Sequence, residues 1–168
     1  LTISRDRKIP ARVASLDERT DIAILRVNED ISLRPVPLGD STKLGENVTV
    51  IGFPLGDALG IDPKITSGLL SGTSGLKGDP TRHMISAPIQ PGNSGGPVFG
   101  NNGYVIGVAV SKLASKVTDS VGFAVKSQYV FPLLDELDVS PISPVRKNLK
   151  PTELCERYCG SVVKVRTK

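Results

Sequence analysis

No apolar run in this 168-residue chain approaches the ~20 residues needed to cross a bilayer, and no signal-peptide pattern opens it. Cysteine is scarce: Cys155 and Cys159 are too few for a disulfide framework. Spaced i, i+4 near the end of the chain, they fit one side of a helix, as a local disulfide or as half of a metal site. With no other cysteine and a single histidine, His83, neither a metal nor another cofactor is expected. Aromatic residues make up only 4%, and none interleaves with the basic groups at Arg5, Arg7 and Lys8 or at Arg146, Lys147 and Lys150. The net charge of +4 therefore reads as a solvated basic surface, and no nucleic-acid partner is expected. An initial methionine is absent too, and the chain ends on the strand-like SVVKVRTK. Both ends read as cuts in a longer protein, so the missing targeting segment carries no information about it.

What is present is ordinary for one globular domain, or one domain with an appendage: 39% hydrophobic and 23% charged residues. Up to about Lys126 the chain is a series of short Val- and Ile-rich runs broken by Gly, Pro, Asp and Asn. ARVASLD, DIAILRV, ENVTVIGFP, KITSGLLSG, HMISAPI, YVIGVAVS and SVGFAVK are the clearest, with no long helical period between them. That spacing predicts an antiparallel sandwich or barrel rather than a βαβ sheet. SQYVFPLLDELDV alone reads as helix, capped by Ser127 or opened by Pro132 in its first turn. DVSPISPVRKNLKP then carries three prolines and little that packs, which predicts a linker over 138–151. Beyond it TELCERYCG has helical spacing and SVVKVRTK strand spacing, a helix–strand appendage over 152–168. The glycosylation triplet Asn47-Val48-Thr49 sits inside a strand-like run and reads as chance.

One stretch, QPGNSGGPVFG, surrounds a lone hydroxyl, Ser94, with glycine and proline. Gly, Pro, Asn and Ser are ordinary turn residues, and a plain turn is one reading. The other is chemical. A serine attacks a carbonyl only when a base removes its proton and donors stabilise the developing oxyanion. Gly92 and Gly95, lacking Cβ, can take unusual dihedrals and bring main-chain N–H groups close to a substrate. GNSGG also fits the G-x-S-x-G elbow of α/β-hydrolases, but that elbow needs a helix after the serine, and here strand-like VFG and YVIGVAV follow.

GNSGGPV resembles the nucleophile loop of trypsin-like serine proteases, and specifically of their HtrA/Deg branch. DERTDIAILRV is similar to that family's strand carrying the catalytic aspartate, and RPVPLGDSTKLGENVTVIGFPLG to its link between barrels. ITSGLLSG resembles the strand opening the second barrel; GYVIGVAV and SVGFAVKS resemble the pair walling the specificity pocket. The resemblance implies an all-β, trypsin-like double β-barrel with its first barrel incomplete and a short C-terminal helix. It implies a protease domain over 1–137 that lacks its opening strands. Ser94 would be the nucleophile, Gly92 and Ser94 the oxyanion N–H donors with Asn93 holding the loop, and Asp21 the triad carboxylate. Without the resemblance Asp21 reads as a strand-start or turn aspartate.

The triad also needs a histidine. In the family it precedes the aspartate by tens of residues, and none of the twenty residues before Asp21 is His. His83, eleven residues before Ser94, reads as a structural strand residue. Either the base lies outside this chain or the chain is a catalytically dead relative; the intact serine loop favours the first. TELCERYCGSVVKVRTK resembles the way family protease domains begin, which leaves three readings: the start of a second protease-like domain, a strand completing this or a neighbouring barrel, or an amphipathic tail.

Cleavage after Lys or Arg needs an acidic residue six positions before the nucleophile, where this chain has Pro88. With Pro88, Val108, Ala109, Val110 and Val121 as the implied pocket residues, the resemblance implies cleavage after small aliphatic side chains of unfolded or extended polypeptides. The VAVSK run suits β-addition of such a chain. A homo-oligomer and an extracytoplasmic location are common in the family. The competing function class is a non-catalytic protease-like module that binds extended peptides.

Overall fold

The computed structural model describes residues 1–2, 7–40, 42–54, 60, 62–110, 121–142 and 148–166. Outside the described residues lie Arg5, Arg146 and Lys147 of the basic groups, the end of the VAVSK run within 111–120, and 143–147 of the expected linker.

Alternation and turn chemistry build two sheets. β1 (Ala11–Asp17) and β2 (Ile22–Val27) form an antiparallel hairpin in which Asp17 lies opposite Ile22. Asp17 makes the turn by accepting bonds from the Thr20 hydroxyl (2.7 Å) and the Arg19 amide (3.0 Å). These donors, the Thr20 hydroxyl first, hold the Asp17 carboxyl below the usual aspartate range. The second sheet is a closed antiparallel barrel of β3 (Asn47–Gly52), β4 (Lys64–Gly72), β5 (Arg82–Ile85), β6 (Pro97–Gly100), β7 (Val105–Val110) and β8 (Gly122–Lys126), joined in the order β3–β4–β5–β8–β7–β6. The result is one complete barrel and, before it, a two-stranded sheet among the described residues, as the resemblance implied.

The barrel interior is filled by Val48, Val50, Leu70, Ile85, Val98, Ile106 and Ala109 with their neighbours. Ile106 and Ala109 both face inward although three positions apart, because β7 slips register opposite Val98 and Phe99 and reverses its alternation there. β3 and β6 are covered on both faces, which is why VTVI and VF consist of β-branched and aromatic residues, with the Thr49 hydroxyl the one polar group. The triplet at Asn47 lies in β3 with Thr49 buried, its hydroxyl 3.4 Å from that of Ser67, unlike the surface loop that glycan addition requires.

Three attachments decide where the site lies. Ile22 and Ile24 of β2 pack on the barrel wall with Val125, Val108 and Val110, joined by Val130 and Leu133 from α1 (Phe131–Asp135) and the 3-10 turn before it. The helix expected there is thus short, with Pro132 in its first turn, and Ser127 sends its hydroxyl to the Gly39 carbonyl (2.6 Å) instead of capping it. The outer face of the hairpin stays uncovered, with Val13 57% and Leu16 54% exposed. Helix α2 (Pro151–Tyr158) lies on the barrel, opened by Pro151 and by Glu153 accepting the Lys150 amide at 2.8 Å. Its Leu154 is buried against Ile51, Phe99 and Val105, worth about 2 kcal/mol of transfer free energy. Tyr158 stacks on Phe99 at 5.4 Å. Lys164 and Thr2 then exchange two main-chain hydrogen bonds, 2.7 and 3.2 Å, which places residues 161–165 beside the N-terminal residues.

Candidate active site

The loop between residues 90 and 97 is a chain of tight turns fastened to β7. The Asn93 amide donates to the Gln90 carbonyl (2.9 Å) and the Gly96 amide to the Asn93 carbonyl (3.0 Å). Gly95 N–H reaches the Ala109 carbonyl and Ala109 N–H the Gly96 carbonyl, each at 2.8 Å. Gly92 sits at φ +100 with its carbonyl accepting from Phe53 N–H, and a Cβ there would run into the Phe53 carbonyl oxygen. Only glycine fits that backbone without strain. Asn93 is buried against Gly52, its Oδ1 without a hydrogen-bond partner among the described residues.

Ser94 stands exposed at the loop's crest, on a cavity of about 470 Å³ that it shares with Gly92, Val36, Leu38 and Val108. Among the described residues nothing bonds its hydroxyl, and neither the Gly92 nor the Ser94 amide is spent on a main-chain acceptor. Two unspent N–H groups one residue apart, next to an exposed hydroxyl, form a cradle able to hold a negatively charged oxygen.

The remaining residues singled out in the sequence spread around that loop. Asp21 is exposed at the entrance to β2, at φ +61, with no hydrogen-bond partner among the described residues. It does not line the Ser94 cavity; its strand neighbour Ile22, packed near Val108, brings it to the same side of the barrel. Pro88 is exposed, its carbonyl accepting from the Thr66 hydroxyl at 3.0 Å. Val108 lines the cavity, Ala109 is buried in the barrel core, and Val110 and Val121 are half-buried.

His83 pairs with Ala124 in the middle of β5, is 7% exposed and stays off the cavity lining. Burial, helped by the charge of Lys126, pushes its pKa down to about 4, so the ring is neutral at pH 7. A base with no path to the Ser94 hydroxyl cannot activate it. His83 instead has a folding consequence. Its folded pKa lies below the unfolded value, so the stability it contributes is full above about pH 6.5 and is lost as pH falls toward 4. Urea midpoints should show a loss of about 3 kcal/mol across that window, at ~1.4 kcal/mol per unit, and His83→Leu should flatten it.

Two features escaped the sequence reading. Ile89, only 7% exposed, lies against Gly122 so closely that a Cβ on Gly122 would strike its side chain. It therefore fills the space between the 88–93 segment and the start of β8. Its apolar side chain between Pro88 and Gln90, two residues after buried Ala87, was the available signal. The second is the wall: residues 161–165 line the Ser94 cavity directly.

Comparison with known proteins accords with this geometry. Residues 2–108 match the family described as trypsin-like peptidase domain. The chain is 34% identical over 140 residues to the serine protease Do-like HtrA of Bacillus subtilis, covering 77% of this chain and 31% of that protein. It is 32% identical over 148 residues to Protease Do-like 1, chloroplastic, of Arabidopsis thaliana, covering 82% and 33%. An uncharacterized protein of Sinorhizobium fredii, y4bJ, is 35% identical over 167 residues, covering 94% and 26%. The chain thus spans about a quarter to a third of the length of these curated relatives. With a matching family over 2–108, relatives among the Do-like proteases and a closed β-barrel presenting the serine loop, the chain belongs to the trypsin-like peptidases, in their HtrA branch.

Proposed function

We propose that this chain carries the serine half of an endopeptidase site that hydrolyses unfolded polypeptides after small aliphatic residues. The observation that supports it best is the Ser94 loop: an exposed hydroxyl above the unspent amides of Gly92 and Ser94, held there by a glycine whose backbone no other residue takes without strain. In this reading Ser94 attacks the scissile carbonyl, the two amides take up the oxyanion, and Asn93 fixes the turn between them. Asp21 orients an imidazole supplied from outside these 168 residues. The protease unit is 1–137, with 138–151 as its linker and 152–168 as a helix–strand segment resembling a protease-domain start. An extracytoplasmic location and self-association belong to the same proposal by family likeness.

Substrate choice follows from the pocket. Pro88 offers no charge for Lys or Arg, and Val108 gives the cavity beside Ser94 an apolar wall. Profiling an active form of the protein on a peptide library should give cleavage after Val, Ala or Ile. Val108→Ala should shift preference toward Leu and Phe by about ten- to a hundredfold in kcat/KM, the range a few methylenes command. Cleavage after Lys or Arg would contradict the pocket assignment.

One observation favours the second class, a peptide-binding module without turnover: the chain's single imidazole is buried away from Ser94. The two separate on whether Ser94 is ever acylated.

A further inference from the structure

The cavity beside Ser94 has two walls of different origin. One belongs to the barrel and the link that precedes it, with Val36, Leu38, Phe53 and Val108. The other is formed by residues 161–165, from the far end of the chain. Both are fixed. On the first side the Val105 amide donates to the Pro37 carbonyl (2.8 Å) and the Gly39 amide to the Val105 carbonyl (3.1 Å), which ties Leu38 to β7. On the second, Cys159 and Val162 pack on the cluster of Ile51, Phe99, Leu154 and Tyr158, and Lys164 exchanges its two main-chain bonds with Thr2. Lys164 and Arg166 hold further interactions. The Cys155–Cys159 disulfide lies at the end of α2 and leaves neither sulfur as a free thiolate for a metal.

Val162 is extended (φ −89, ψ 119), and its side chain is committed to that cluster. Successive side chains of an extended segment leave on opposite faces, so Val163 turns away from the cluster, on the face that Val165 shares. Both line the cavity, Val163 half-buried and Val165 53% exposed. Opposite them the first wall is aliphatic and aromatic, and among the described residues no carboxylate lines the cavity. A volume of about 470 Å³ is of the size that takes a small ligand, and it exceeds what one valine side chain fills. A small aliphatic residue seated against Val108 therefore leaves room for a second apolar side chain of the same extended peptide.

We infer that residues 161–165 build a second apolar subsite next to Ser94, with Val163 setting its size and polarity for a substrate side chain that flanks the scissile bond. The end of the chain, which bears none of the proposed catalytic groups, thereby shares in choosing the substrate. A wall seated this firmly selects by size and charge rather than by yielding. A misfitting side chain cannot displace it without breaking its packing on Ile51 and Phe99 and its pairing with Thr2. The inference rests on the proposed peptide site at Ser94, but not on turnover there.

The test profiles an active form of the protein, as wild type and as Val163→Asp, on fluorescein-labelled hexapeptides. These carry valine at the cleaved position and Val, Leu, Asp or Lys at each flanking one. The wild type should prefer Val or Leu over Lys at one flanking position by about tenfold or more in kcat/KM. Val163→Asp should reverse that order at the same position by a similar factor and leave valine preferred at the cleaved one. Val163→Thr keeps the shape, which guards against a variant that fails to fold, and should lose most of the aliphatic preference at that position alone. Binding of the same peptides to the 168-residue chain, read by anisotropy, should shift in the same direction. A wild type indifferent to flanking residues, or a preference that ignores both substitutions in a folded protein, would overturn the subsite and leave the endopeptidase standing. So would an equal loss at every position, which marks a general disturbance of the site. Peptides bound with the Val163-dependent preference but never cleaved would keep the subsite and overturn the endopeptidase.

Discussion

Residues 1–168 alone should turn over no peptide measurably, whereas the same residues joined to, or mixed with, a first-barrel segment bearing a histidine should cleave after small aliphatic residues. The difference should approach about 10⁶-fold in kcat, the scale on which a triad without its base loses activity. The physical reason is local. The Ser94 hydroxyl has no acceptor for its proton among the described residues, and the neutral ring of His83 is held inside the barrel wall. The exposed hairpin face at Val13 and Leu16, and the carboxylate of Asp21, which has no partner among the described residues, are where such a segment would dock. Ser94→Ala in the complemented protein should abolish cleavage and leave peptide affinity within about twofold, since the pocket walls are untouched. Equal activity with and without the histidine segment would show that another group serves as base.

The second large effect is expected at Gly92. Alanine there meets two penalties at once: a left-handed φ of +100, costing about 1–3 kcal/mol, and a Cβ directed into the Phe53 carbonyl. The loop must shift to relieve them, carrying the Gly92 amide off the oxyanion position. In the complemented protein Gly92→Ala should therefore lower kcat by about 10²–10³ with KM little changed, as loss of one oxyanion donor does. Thermal unfolding should fall by several degrees. A variant that unfolds earlier but keeps full kcat would remove Gly92 from the oxyanion role.

The barrel was legible because its strands advertise themselves. β3, β7 and β8 are β-branched runs punctuated by turn residues, and antiparallel barrels follow from that spacing. The turn-rich character of the Ser94 loop was legible from its glycines and prolines, and the structure shows it as a chain of tight turns. The rest depended on distances that no local pattern encodes. Ile89 is buried in the barrel core because β8 brings Gly122 against it, a long-range contact. The register slip in β7 that turns Ile106 inward leaves no mark on the alternation of VIGVAV, where every position is apolar or glycine. The C-terminal segment read as a tail, a strand completing this or a neighbouring barrel, or the start of a new domain. Its seat on the barrel depends on Leu154 and Tyr158 meeting Ile51 and Phe99, residues about a hundred and about sixty positions earlier in the chain. His83 was correctly set aside on sequence order, but its depressed pKa required the burial that only the closed barrel supplies.

The assignment of Ser94 as a nucleophile is tested most directly by a fluorophosphonate probe followed by peptide mass mapping, on the complemented protein and on the same protein with its supplied histidine changed to alanine. Expected is one phosphonyl adduct on the peptide containing Ser94, formed with histidine and slowed by several powers of ten without it. A complemented, folded protein that binds peptides yet leaves Ser94 unlabelled would contradict the endopeptidase reading and leave the peptide-binding module in its place.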